Sequence, residues 1–257
     1  MKLNRTTQRT VEILKLISRN PEGITLDEIC ARLDLPKTSA YDIVTTLVEM
    51  GMANVKKGAK QIYTIGLAAY RIGINYTNNL DFLGIIEPEL KAFSRSVGKT
   101  VFFGVRSDHD VVYICKFEPE NPIITTATVG TKNPMYCTSL GKAILAYMDE
   151  ETRGQIMGRI KFRQKTENTI MSREALEAEL EKVRSQGYAL DAREMEDHME
   201  CAGAAVFGPD GSVMGAISVS SLYKQEEDYD ALGQVVAKKA EEVSRLLGFL
   251  GKNRESY

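Results

Sequence analysis

Apolar positions between Thr25 and Gly51 recur twice at helical spacing, with one short break between the two runs. In the first run Leu26, Ile29, Cys30 and Leu33 share a face, and Thr25 with Glu28 three residues on forms a capping-box pattern. Leu35-Pro36 interrupts the spacing, because the residue before a proline is pushed out of the helical region. Pro36 suits the first turn of a second helix. That helix carries Ala40, Ile43, Val44, Leu47 and Val48 on one face and closes at Gly51. Its other face opens with Lys37, Thr38, Ser39, Tyr41 and Asp42. Upstream, Val11, Ile13, Leu14 and Ile17 predict a helix over Thr7–Arg19, and Asn20-Pro21-Glu22-Gly23 reads as a turn. Downstream, Met52–Val55 and Gln61–Thr64 are strand-like and flank the basic turn Lys56-Lys57-Gly58-Ala59-Lys60.

The remainder alternates between the two periods. Helices are predicted over Gly66–Asn79, Phe82–Val97, Thr138–Met148, Glu150–Gly158, Ser172–Gln186 and Gln225–Phe249. Strands are predicted over Thr100–Val105, Val111–Phe117, Ile123–Val129, Tyr188–Arg193, Ala202–Phe207 and Ser212–Ser220. Ser107–Asp110 and Gly208–Gly211 read as hairpin turns. This is an α+β pattern: a small helical front part with a hairpin, then an antiparallel sheet with helices packed on it. The domain boundaries expected are 1–66, a linker helix at 67–80, and 81–257.

Helix, tight turn and helix with a polar N-terminal face is the helix-turn-helix plan, in which the start of the second helix meets base edges in the major groove. A lysine-bearing hairpin after it reads as a wing. Its Lys56, Lys57 and Lys60 would neutralise phosphates without reading sequence. Paired amphipathic helices also occur in many helical domains, and a lysine run is often a solvated turn.

Composition narrows the picture. The chain of 257 residues has room for two domains, and its net charge is −2. Residues 1–66 hold 10 Lys/Arg against 7 Asp/Glu, and the remainder holds 23 against 28. That front-loaded excess is too small to prove a nucleic-acid partner. Cys30, Cys115, Cys137 and Cys201 form no CxxC pair, which leaves zinc ribbons and thioredoxin-like motifs unsupported and fits free thiols in the cytoplasm. No secretory signal and no apolar run of membrane-spanning length is visible, so no membrane partner is expected.

One constellation in the rear part suits a ligand. Ser139-Leu140-Gly141 opens a helix, where unpaired backbone N–H groups and the dipole favour an anion. Ser218 and Ser220 are two apart on one strand and share a face, opposite Val213, Ile217 and Val219. The stretch Asp191–Cys201 is acidic and carries His198. Asp191, Glu194, His198 and Cys201 are of metal-ligating types, though at no standard spacing. A Cys201–His198 nucleophile pair is a further reading, but at three residues apart on a strand the two side chains point to opposite faces. The plain alternative is a solvated acidic loop leading to a buried cysteine, with His109 exposed in its turn.

The order of parts resembles the IclR family of bacterial transcriptional regulators over nearly the whole chain. The resemblance is carried by LPKTSAYDIVTTL, by VGTKNPMYCTSLGKAILAYM, by GYALDAREME and by the closing AAVFGPDGSVMGAISVSS. It implies a winged helix-turn-helix, a linker helix and a GAF/PAS-like effector-binding domain, with a homodimer or a dimer of dimers. It further implies a cytoplasmic, non-enzymatic regulator that binds double-stranded operator DNA and a small organic acid, with no cofactor. By position, the effector-site residues implied are Ser139, Leu140, Asp191, Cys201, Ser218 and Ser220. The acid would shift the spacing of the two winged helices against the operator half-sites. Asp42 stands where members often carry arginine, and Ser139-Leu140 where they often carry Gly-Ala. The reading from a different class is a metal- or cysteine-dependent hydrolase fused to a winged helix.

Overall fold

The computed structural model describes residues 3–56, 58, 60–78, 82–122 and 127–251, with the backbone alone over 74–78. Contacts divide the chain into two compact units, Met1–Leu80 and Asp81–Tyr257.

In the first unit α1 (Arg5–Ser18) starts at Asn4, whose side chain accepts from the Thr7 N–H. The capping box at α2 (Leu26–Leu33) is fully formed, with Thr25 and Glu28 each bonded to the other's backbone N–H. The turn to α3 (Lys37–Glu49) is set by Asp34 in the left-handed region at φ 50°, and by Leu35 N–H donating to the Cys30 carbonyl at 3.1 Å. Ile13, Ile17, Ile29, Ala40, Val44 and Leu47 close a core under the three helices. Strands β2 (Ala53–Lys56) and β3 (Ile62–Ile65) form the expected hairpin. A short β1 (Ile24–Thr25) adds to it in the order β1-β3-β2. Two residues are too few to show alternation, so this strand left no mark in the pattern. Helix α4 (Leu67–Asn78) completes the unit.

The second unit begins with α5 (Leu83–Val97), closed by Gly98 at φ 63°. Its sheet has the order β6-β5-β4-β9-β8-β7 and is antiparallel at every pairing. The strands are β4 (Thr100–Ser107), β5 (Asp110–Phe117), β6 (Lys132–Pro134), β7 (Ala189–Ala192), β8 (Met199–Phe207) and β9 (Val213–Leu222). The third predicted strand falls partly on 123–126, outside the described residues. Its described end, 127–129, is not strand, and the edge pairing is made by β6 instead. Helix α9 (Tyr229–Leu246) starts four residues later than the pattern suggests, because Asp228 caps it by accepting from the Ala231 N–H.

A 3-10 turn (Met135–Cys137) leads into α6 (Ser139–Ala146); α7 (Glu150–Met157) and α8 (Arg173–Gln186) follow. Helices α6 and α8 join Phe102, Tyr113, Ala189 and Ala216 in one core on one face of the sheet. Helices α5 and α9 pack on the other face, where Phe103 meets the start of α5 at Phe82. Helix α6 lies almost directly on the strands. A Cβ on Gly203 would fall 2.8 Å from the Ser139 carbonyl carbon, and one on Gly141 would fall 2.2 Å from the Met135 Cα.

Helix propensity alone would reward Gly141→Ala by about 1 kcal/mol. The clash with backbone reverses the sign. The substitution is expected to lower the stability of the second unit by about 1–3 kcal/mol, the usual cost of overpacking. The readout is a lower urea midpoint at unchanged slope. A raised midpoint would show that the 3-10 turn does not press on α6.

Candidate functional sites

Among the described residues, the candidate site residues fall in two places. The first is the start of α3. Lys37 is exposed and pairs with Asp27 of α2 at 2.7 Å. The Asp27 interaction, by hydrogen bond first and by charge second, holds the Lys37 pKa above its ordinary value. Thr38 and Asp42 are exposed, and Tyr41 is half exposed. Ser39 is half-buried, and its hydroxyl accepts from Arg9 Nη1 at 3.3 Å, so α1 braces the helix. Pro36 supplies no side-chain cap, so no side chain occupies the first N–H groups of α3. Lys56 and Lys60 are exposed on the hairpin; the Lys37 hydrogen bond and charge lower the Asp27 carboxyl, the Thr25 hydrogen bonds lower Glu28, and Lys60 adds a smaller pull on both. Lys57 lies outside the described residues.

The second place is a cavity of about 90 Å³ over the sheet. Cross-strand pairing sets Asp191, Cys201, Ser220 and Thr100 in one row across β7, β8, β9 and β4. Opposed residues share a face, and Asp191, Cys201 and Ser220 line the cavity with Phe102, Tyr113 and Met195. The Cys201 thiol donates to the Ser220 hydroxyl at 3.2 Å. Ser218 stands one row on, opposite Gly203 and Phe102, where Ser139 packs against Gly203. Leu140 is buried, with its Cδ1 3.0 Å from where a Cβ on Gly104 would lie. Ser139, Leu140 and Ser218 therefore back the cavity and do not line it.

Tyr113 was not singled out by the sequence pattern. Strict alternation places it with Cys115. A register shift opposite Phe103/Gly104 pairs Cys115 with Phe103 and Tyr113 with Gly104, so the two tyrosine and cysteine side chains fall on opposite faces. The bulge thus delivers the phenol into the cavity, where Asn133 Nδ2 donates to it at 3.3 Å.

The acidic stretch is not a solvated loop. Asp191, Glu194 and Glu200 are all buried. Asp191 Oδ1 accepts from the Glu194 N–H at 2.8 Å and the Met195 N–H at 3.3 Å. Glu194 in turn meets Lys142 of α6 at 2.5 Å, and Lys142 meets Glu179 of α8 at 3.1 Å. Burial works against the Lys142 charge, but Glu194 and Glu179 outweigh it and keep its pKa above the ordinary lysine value. Arg193 takes a left-handed φ of 60°, with its guanidinium 4.2 Å from the Tyr223 ring centre. Its carbonyl accepts from the Thr166 hydroxyl at 2.6 Å.

The four metal-ligating types do not converge. His198 is exposed and lies 3.5 Å from Glu196, while Glu194 is committed to Lys142. Among the described residues no group of three or more such side chains is placed to hold an ion. Burial pushes the Cys201 thiol far above its ordinary pKa and Cys137 up to about 12, so neither is a ready nucleophile. His109 sits in its turn beside Asp108 at 2.9 Å. No helix among the described residues is long and apolar enough to cross a membrane.

Residues 6–55 match the family model for the IclR helix-turn-helix domain, and residues 74–245 match the model for the bacterial transcriptional regulator IclR C-terminal domain. The chain is 28% identical over 240 residues to the HTH-type transcriptional regulator KdgR of Escherichia coli (strain K12), covering 92% of this chain and 90% of that one. It is 27% identical over 244 residues to the transcriptional repressor IclR of the same organism, covering 93% and 89%. Among solved structures, the Thermotoga maritima IclR superposes with a TM-score of 0.74 at 30% identity, covering 95% of this chain and 99% of that one. An IclR transcriptional regulator from Alicyclobacillus acidocaldarius gives 0.82 at 25% identity, covering 96% and 100%.

Burial first, and the Glu194 charge second, raise Asp191 to about 7. A carboxyl whose folded pKa lies above its unfolded one loses stability as pH rises from the unfolded value to the folded one. The penalty is absent below about pH 4 and complete above about pH 7. Asp191→Asn keeps an oxygen for the two N–H donors and removes the charge. Thermal melts should show it more stable than the parent above pH 7, with the gap closing toward pH 4. A gap that does not change with pH would contradict the assignment of a raised pKa to Asp191.

Proposed function

The chain belongs to the IclR family of bacterial transcriptional regulators and is a DNA-binding regulator, and from that premise we propose that a small organic acid in the Asp191–Cys201–Ser220 cavity controls its operator binding. The observation that carries this is the row of polar side chains buried on one face of the sheet, with Tyr113 turned toward it. Buried polar groups need partners, and a small oxygen-rich ligand supplies them. Ser220 and Cys201 hydrogen-bond the ligand, Asp191 meets it from the far wall, and Ser139, Leu140 and Ser218 shape the end nearest α6. A volume of about 90 Å³ is roughly three waters' share of liquid, so the acid has a few carbons only.

The start of α3 reads the major groove. Lys37, Thr38, Ser39, Tyr41 and Asp42 face bases, and Lys56, Lys57 and Lys60 face phosphates. Asp42 accepts from a cytosine amino group where an arginine would seek guanine. Lys37 must exchange Asp27 for DNA, a small cost for an exposed pair. The protein acts in the cytoplasm as a homodimer or a dimer of dimers. Exposed Leu67, Tyr70 and Ile72 on α4 support an association through that helix. Control follows from linkage: an acid that favours one state of the dimer changes the affinity of that dimer for two half-sites. The role is binding and regulation, without catalysis.

A thermal-shift screen of small carboxylic acids tests the effector reading. An upward shift by at least one acid is expected, and Ser220→Ala should weaken that acid about fivefold, the worth of one neutral hydrogen bond. Equal affinity in the variant would remove Ser220 from the site. Lys37→Ala should weaken operator binding with the melting temperature held, whereas Lys60→Ala should reduce the salt slope by about one ion. An unchanged gel shift would displace α3 from the groove.

A further inference from the structure

Asp191 faces a cavity with acids and no base. Asp191 and Glu196 line it, and no lysine, arginine or histidine does so among its described lining residues. Among the described residues, the charged groups around the cavity are engaged elsewhere: Lys116 of β5 lies 5.9 Å from the Phe102 ring centre and pairs with Glu118 at 2.8 Å. Cys201 of β8, Tyr113 of β5 and Cys137 of the 3-10 turn are neutral at ordinary pH, each with a raised pKa. Lys142 of α6 is spent on Glu194 and Glu179. Arg193 lies over Tyr223, Lys165 is exposed, and His198 is exposed beside Glu196. A carboxylate entering this cavity meets the Asp191 carboxyl, with Glu196 also in the wall and no cation among the described lining residues.

Two carboxylates in contact in a water-poor site cannot both stay ionised. We infer that the site takes a small carboxylic acid together with one proton, shared between the ligand and the Asp191 carboxyl. This rests on the acid-effector reading above. The proton comes from solvent, and no covalent bond forms or breaks. Oδ1 of Asp191 is held by two backbone donors, so Oδ2 carries the proton and donates it to the ligand oxygen. Burial and the Glu194 charge already raise Asp191 to about 7, and a ligand carboxylate raises it further. Each acid bound above neutral pH therefore removes a proton from solution, and the regulator answers to acid concentration and pH together.

Calorimetry on the full chain tests this with acetate, lactate, pyruvate and 2-oxobutyrate, in buffers of equal pH and different ionisation enthalpy. The expected result at about pH 8 is close to one proton taken up per acid bound, with affinity falling about tenfold per pH unit above neutrality. Asp191→Asn carries its own N–H donor, so it should bind the same acid with no proton uptake and with affinity flat across this range. A residue of purely structural importance would lose binding on that change and would not flatten the pH profile. Parent binding that is flat with pH and takes up no proton overturns the inference and leaves the effector reading standing. Proton uptake that persists in a folded Asp191→Asn variant overturns the assignment to Asp191. Absence of binding by all four acids overturns both readings. If the variant does not fold, the proton count of the parent protein decides alone.

Discussion

The second unit is organised around one buried charge. Helix α6 carries Lys142 fully into the interior, and an ammonium there costs several kcal/mol unless it is met. Glu194 and Glu179 meet it, one from the stretch after β7 and one from α8. That pairing fixes more than itself. Glu194 donates its N–H to Asp191, and its carbonyl accepts from the Thr169 hydroxyl at 2.8 Å. Thr166 holds the neighbouring Arg193 carbonyl. Residues 193–195 are thus gripped from α6 on one side and from the Thr166–Thr169 turn on the other. The cavity wall formed by Asp191 and Met195 exists because this short stretch has one place to be.

A second constraint sets the depth of the cavity. Gly203 lets the start of α6 touch the sheet, and Gly141 lets the 3-10 turn touch α6. Side chains at either point would lift the helix and open the site to water. The bulge opposite Gly104 then turns Tyr113 to the same side. Three local backbone decisions, none of them chemical, collect a phenol, a thiol, a hydroxyl and a carboxyl in one small space.

Much of this was legible in the residues, and the reasons are local. Thr25 and Glu28 announce a capping box because both partners lie within one turn. Pro36 and Gly51 mark helix ends by their own backbone preferences, and the hairpin around Lys56–Lys60 is readable from alternation. Ser218 and Ser220 share a face by period alone, and Cys201 and Ser220 do lie opposite each other. What escaped notice depends on distance or on broken period. Lys142 reads as one lysine in SLGKAILA, and nothing nearby says that its partner is 52 residues on. The acids of 191–200 look solvated because charge usually is, and only the packing of α6 and α8 reveals otherwise. Tyr113 is misplaced by strict alternation, since one bulged residue changes the face of everything before it. Strand β1 is too short to carry any pattern.

The proposed regulation is a coupling between two sites in one chain. Its most direct test is the dissociation constant of a fluorescent operator fragment, measured at fixed salt and pH while a thermally stabilising acid is raised to saturation. Such coupling predicts a change of about five- to a hundredfold that reaches a plateau, with the DNA shifting the acid's own affinity by the same factor. An operator affinity that is identical with and without saturating acid would contradict it.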